Sequence, residues 1–408
     1  MRRFKTYGFI LILMALYGCV EEIDLRTEIQ EEYESALVIE ATLTNEMKNQ
    51  VILLSRVYLL EEEGPSPEFN AQVRVLDGNG NSYQFQQVFP GRYESESIFA
   101  AQPNTVYELE INTSDGGSYG SSMEELTNET QINDLYVERD FNENNEEGVS
   151  IYVDSFDPTG NSLFYRYTYE ETFKIIAPDY SPEDMEYEYI YGNPDNPTEI
   201  TGVLYFLVQK EEQQQICFAT VASEDIIISS TNDLNEDSIN RFRVRFLGRD
   251  NPIISHRYSI LVRQYVQSPE AFEYYKTLKE FSDSDNLLSQ SQPGFLNGNV
   301  FSETDQEEKV IGFFQVSSVD EKRVYFNYAD LFPGDVLPPY FQSCVPFAPL
   351  ESRPGPTFPL ANALDLGNKY LEPNEDPLPD EGSYYLVAPA CGNCTVIGNN
   401  FPPDFWEE

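Results

Sequence analysis

The chain has 408 residues, with 25 Lys and Arg against 70 Asp and Glu for a formal net charge of −45; 40% of its residues are apolar and 14% aromatic. So acidic a surface repels phosphate backbones and anionic head groups, which excludes nucleic-acid binding and leaves solubility at an exposed surface as the plain reading of the charge. Tyr (28) and Phe (27) far outnumber the single Trp, a composition that favours pleated, half-buried surfaces, so mainly β structure is expected, in two or three domains of roughly 100 to 200 residues.

Met1-Arg2-Arg3-Phe4-Lys5 opens the chain with positive charge, and residues 8–18 (GFILILMALYG) form an uncharged, mostly apolar run that stops at Cys19. Residues 1–18 read as a secretion signal. A bilayer-spanning helix needs on the order of 20 apolar residues, more than this run supplies. Leu16-Tyr17-Gly18-Cys19 resembles a bacterial lipobox, which implies a diacylglycerol on the Cys19 sulfur, cleavage before Cys19, and acylation of the freed amine by a chain such as palmitate. Losing Arg2, Arg3 and Lys5 takes the charge from −45 to −48. Residues 19–35 then read as a lipidated acidic leader. Its start, Val20-Glu21-Glu22-Ile23-Asp24, resembles the surface-export signal of lipoproteins in the phylum Bacteroidota, which implies the outer membrane, facing outward.

Residues 36–128 read as an immunoglobulin-like β-sandwich of about seven short strands, without the Cys and Trp marks of antibody domains. Leu37, Ile39, Ala41 and Leu43 alternate onto one face, and residues 51–60 supply a second apolar run. Asp77-Gly78-Asn79-Gly80-Asn81 is hairpin-turn chemistry; as a calcium loop it would need Gly where Ser82 stands and Glu where Val88 stands.

Residues 129–408 read as a larger β domain. Phe164-Tyr165-Arg166-Tyr167-Thr168-Tyr169 alternates as a strand does, residues 178–197 suggest a long surface loop, and Ile226-Ile227-Ile228 and Tyr258-Ser259-Ile260-Leu261-Val262 suggest central strands. A helix is expected over 268–282: Ser268 caps it, Pro269 takes its first position, and Ala271, Tyr274, Tyr275, Leu278 and Phe281 make one packing face. Residues 333–382, rich in Pro, Gly and acids, suggest irregular loops, and residues 391–406 return to the fold.

Cys217, Cys344, Cys391 and Cys394 remain after Cys19, an even number that in an exported chain points to two disulfides, with three pairings open. The spacing Cys391-Gly392-Asn393-Cys394 also suits half a zinc site, but Cys217 and Cys344 form no second such pair. Gly, Pro and Asn close behind it argue against redox catalysis. Asp237-Ser238-Ile239 resembles an acceptor for O-glycosylation at Ser238.

Taken together, Tyr258-Ser259-Ile260-Leu261-Val262-Arg263-Gln264, Ser268-Pro269-Glu270-Ala271-Phe272, Asn297-Gly298-Asn299-Val300, Val310-Ile311-Gly312-Phe313-Phe314, Cys391-Gly392-Asn393-Cys394 and Pro403-Asp404-Phe405-Trp406 resemble the Bacteroidota lipoprotein family catalogued as domain of unknown function 4249. Cys19, Leu37-Val38-Ile39-Glu40 and Gly91-Arg92-Tyr93 fit the same pattern, so the resemblance covers nearly the whole mature chain. It implies an outer-membrane lipoprotein that accompanies a TonB-dependent transporter, and no catalytic residues. The residues themselves agree on the last point: His256 is the only histidine and stands far from any G-x-S-x-G pattern, and no phosphate-cradling glycine loop is present. The expected function is a non-catalytic surface lipoprotein, an accessory or ligand-binding partner of such a transporter, with no cofactor or metal. A surface adhesin or structural subunit is the alternative, ahead of a secreted hydrolase.

Overall fold

Alternation of apolar and polar side chains sets the strands, as in Leu37–Thr44, where Leu37, Ile39, Ala41 and Leu43 are buried and Glu40 is exposed. The computed structural model describes residues 36–57, 64–193, 196–283, 296, 298–355 and 357–408. The chain is mainly β. Its largest sheet runs through Val300–Ser302, Ser118–Ser121, Val106–Asn112, Gln72–Asp77, Ser82–Phe89, Arg92–Ser95, Val51–Arg56, Leu37–Thr44 and Val310–Ser317. Neighbours pair antiparallel until the last two, which run parallel with Ile39 opposite Gly312. Both ends of this path come from beyond residue 299, so the division expected near residue 128 is crossed by two strands that the later part of the chain lends back. The turn at residues 77–81 forms as read: Asp77 Oδ1 accepts the backbone N–H groups of Asn79 and Asn81, and Gly80 takes a positive φ of 86°.

A second core joins two further sheets. One contains Ile132–Phe141, Glu147–Phe156 and Ser238–Gly248; the other runs Ile216–Ala222, Phe164–Ile176, Arg257–Val266 and Val319–Asn327. Val149, Ile151 and Val153 from the first meet Tyr165, Tyr167 and Ile260 from the second in one buried cluster.

The long helix, Pro269–Asp283, begins as its sequence indicates, with Ser268 Oγ accepting the N–H of Ala271 at 3.2 Å. Its face joins the two bodies: Ala271 and Tyr274 pack on Phe313 of the first sheet, and the Phe272 ring lies 4.8 Å from Phe164 of the second.

Two expectations are corrected. Residues 178–197 do not form a long loop: Glu183–Asn193 and Asn196–Gln209 pair as an antiparallel arm. The period-two run of Tyr187, Tyr189 and Tyr191 against Glu186 and Glu188 outweighs the local Pro and Asn, and the arm is seated by Met185 and Tyr205 against Leu360, Tyr370 and Leu386. The expected central strand at 226–228 is instead a short one, Ile227–Ser230, alongside one end of Phe164–Ile176. Residues 333–382 are largely irregular but include the helix Pro359–Asp365 and the strand Lys369–Pro373, which pairs with Tyr384–Val387.

Candidate functional site

Cys19 and the acidic leader lie outside the described residues. The other four cysteines form two disulfides, Cys217–Cys394 and Cys344–Cys391. The C-x-x-C pair is thus split between two distant partners, 177 and 47 residues away, and cannot cycle as a dithiol. Asp179, Cys344 and Cys391 bring ligand-type atoms within 4.8 Å of one another, but both sulfurs are spent on their own bond and are not thiolates, which removes the zinc reading.

Ser238 opens the strand Ser238–Gly248, half-buried, with its hydroxyl accepting from Asn240 Nδ2 at 2.8 Å. Its neighbour Asp237 is buried, and the carboxylate accepts from the Tyr165 hydroxyl (2.8 Å), the Thr231 hydroxyl (2.6 Å) and the Ser162 N–H (3.0 Å). Those bonds make Asp237 a structural node. A second node ties the two later sheets together: Arg245 Nη2 donates to Glu171 Oε1 at 3.0 Å, and the Tyr258 hydroxyl donates to Glu171 Oε2 at 2.6 Å. Burial works against the Arg245 charge, and the Glu171 carboxylate more than restores it, so the guanidinium sits above its ordinary value; burial, then Glu171, holds the Tyr258 hydroxyl far above its own. His256 is half-buried just before the strand Arg257–Val266, its ring pushed toward the neutral form by burial and then by Lys174.

A cleft of about 470 Å³ opens where the parallel pair Leu37–Thr44 and Val310–Ser317, the long helix and the strand Phe164–Ile176 meet. Arg166 lines it. In the strand register Arg166 stands opposite Tyr265, and its guanidinium carbon lies 4.7 Å from that ring and 4.6 Å from the ring of Tyr275 on the helix. Its Nε–H is buried with no hydrogen-bond partner among the described residues. Leu278, Ile311 and Phe313 contribute apolar wall, and Glu40, Glu224 and Asp225 stand exposed around it. Burial first, then Tyr275 and Glu40, raises the Tyr274 hydroxyl above its ordinary value, so the phenol stays protonated at neutral pH. The cleft can therefore offer a flat cationic fork and an apolar bed to one ligand.

Sequence reasoning placed Arg166 on an alternating strand without singling it out. The available signal was a lone cation at an outward position between Tyr165 and Tyr167; the aromatic partners, Tyr265 and Tyr275, lie about a hundred residues further on, where no local pattern joins them to it.

Comparison with known proteins adds one firm finding. The model of a family described as Domain of unknown function (DUF4249) matches residues 22–323. None of the curated proteins matches the chain. Among solved structures, a chain described under "Complete structure of manganese lipoxygenase of Gaeumannomyces graminis and partial structure of zonadhesin of Komagataella pastoris" is 10% identical, with 58% of this chain and 90% of that chain covered at a TM-score of 0.14, too low to carry any inference.

Proposed function

Because this chain belongs to the family described as Domain of unknown function (DUF4249), we propose that it is a non-catalytic, lipid-anchored protein of the Bacteroidota outer membrane, exposed at the cell surface, that serves as an accessory or ligand-binding partner of a TonB-dependent transporter. The observation that carries this reading is the short apolar run ending at Leu16-Tyr17-Gly18-Cys19, followed by acidic residues. Two long-range disulfides support it, since such bonds persist in oxidising compartments outside the cytoplasm. A non-catalytic role is supported by the use made of the buried acids: Asp237 and Glu171 spend their oxygens on hydrogen bonds that join strands.

The test is affinity capture of the native protein from an outer membrane solubilised in mild detergent, with the retained partners identified by mass spectrometry. Co-purification of a TonB-dependent transporter in near-equal amount is the expected result. Recovery of the lipoprotein alone under those conditions overturns the partnership.

A further inference from the structure

We propose that the cleft at Arg166 is a recognition site for a single carboxylate carried on an apolar body. The inference rests on the ligand-binding role proposed above, and on neither the anchor nor the transporter.

The guanidinium carbon lies 4.7 Å from the Tyr265 ring and 4.6 Å from the Tyr275 ring, so aromatic contacts from strand and helix hold the group in place before any ligand arrives. Fixing the fork in advance removes part of the ordering cost of binding. Its Nε–H is buried without an acceptor, and Arg166 forms no ion pair among the described residues, in a chain with nearly three acids for every base. An unpaired buried donor is costly and marks a side chain that packing alone does not account for; the rest of the guanidinium lines the cleft, where a carboxylate is the partner whose geometry matches it bidentately. Were the arginine present only to stack between helix and sheet, an uncharged aromatic would fill the same gap without leaving a donor unpaired.

Leu278, Ile311 and Phe313 supply a bed for a hydrocarbon or ring, and a volume of about 470 Å³ suits a small molecule or the end of a peptide. Glu40, Glu224 and Asp225 are exposed around the cleft and repel a multiply charged anion, so one carboxylate fits better than a phosphate or an oligo-anion.

The test is calorimetric titration of the processed full-length protein in detergent with hydrocinnamate, a phenyl ring on a short chain ending in a carboxylate, and with its uncharged amide. Hydrocinnamate is expected to bind saturably and at least about tenfold tighter than the amide, the scale set by a charge-assisted pair. Arg166→Gln is expected to remove about that factor, and Arg166→Lys, which keeps the charge and loses the fork, to fall between. Equal affinity for acid and amide, no saturable binding of the acid, or unchanged binding by a folded Arg166→Gln protein each overturns the proposal. The acid–amide comparison uses the unaltered chain, so it stands even if the substitution disturbs folding. Capture of a transporter, or its failure, does not bear on the outcome.

Discussion

His256 is the one imidazole in the chain, so its contribution to stability can be isolated. Burial, with Lys174 adding repulsion, holds its pKa in the folded protein below the ordinary value of 6.5. The unfolded chain therefore binds the proton more readily, and folding stability falls as the pH drops below about 6.5, having been fully present above it. Replacing His256 by Gln is expected to flatten this fall: thermal unfolding followed by circular dichroism from neutrality down through the imidazole range should show a shallower loss of Tm in the variant. Parallel curves for the two proteins would contradict the assignment. The residues that do most at this scale were hard to read from the chain. With 70 acids, nothing local marks Glu171 or Asp237 as buried, because Arg245 lies 74 residues from Glu171 and Tyr165 lies 72 from Asp237. Only strand register brings each pair together.

Among the elements, the long helix was legible because its signals are local: a Ser268 cap, Pro269 at the start and apolar residues at spacings of three and four. The Glu183–Asn193 and Asn196–Gln209 arm was missed because Asn193, Pro194, Asn196 and Pro197, close together in the sequence, suggest a loop, while the alternation that makes it a hairpin is carried by Tyr and Glu, a weaker hydrophobic signal. Gly312 shows what the parallel strand needs that hydrophobicity does not encode. Its φ is +149°, and a β-carbon there would stand 2.2 Å from the carbonyl oxygen of Ile39 on the paired strand. Gly312→Ala is expected to destabilise the fold by about 1–3 kcal/mol, the range for a residue forced into such backbone geometry. Denaturant unfolding measures it. A change within about 0.5 kcal/mol, the usual effect of a surface substitution, would show that the contact relaxes freely.

For the molecule as a whole, β class, two disulfides and a helix near residue 270 followed from composition, cysteine parity and capping residues. The pairing of the cysteines and the return of Val300–Ser302 and Val310–Ser317 to the first sheet did not, since both are set by tertiary contacts between residues at least 47 positions apart. This interleaving positions the Arg166 cleft, which has walls from the first sheet, the second body and the helix, and it makes the two bodies one structure at that point.

Everything proposed about location depends on acyl chains at Cys19 overcoming the preference of an acidic, water-facing body for bulk solvent. The direct measurement is fractionation of cells that make the native chain or its Cys19→Ser counterpart, with intact mass of the recovered protein. The native protein is expected in the outer-membrane fraction, carrying the added mass of diacylglycerol and an amide-linked acyl chain, and the serine variant in the soluble fraction without it. A serine variant that still sediments with the outer membrane, or a native protein of unmodified mass, would contradict the lipid anchor and the surface role built on it.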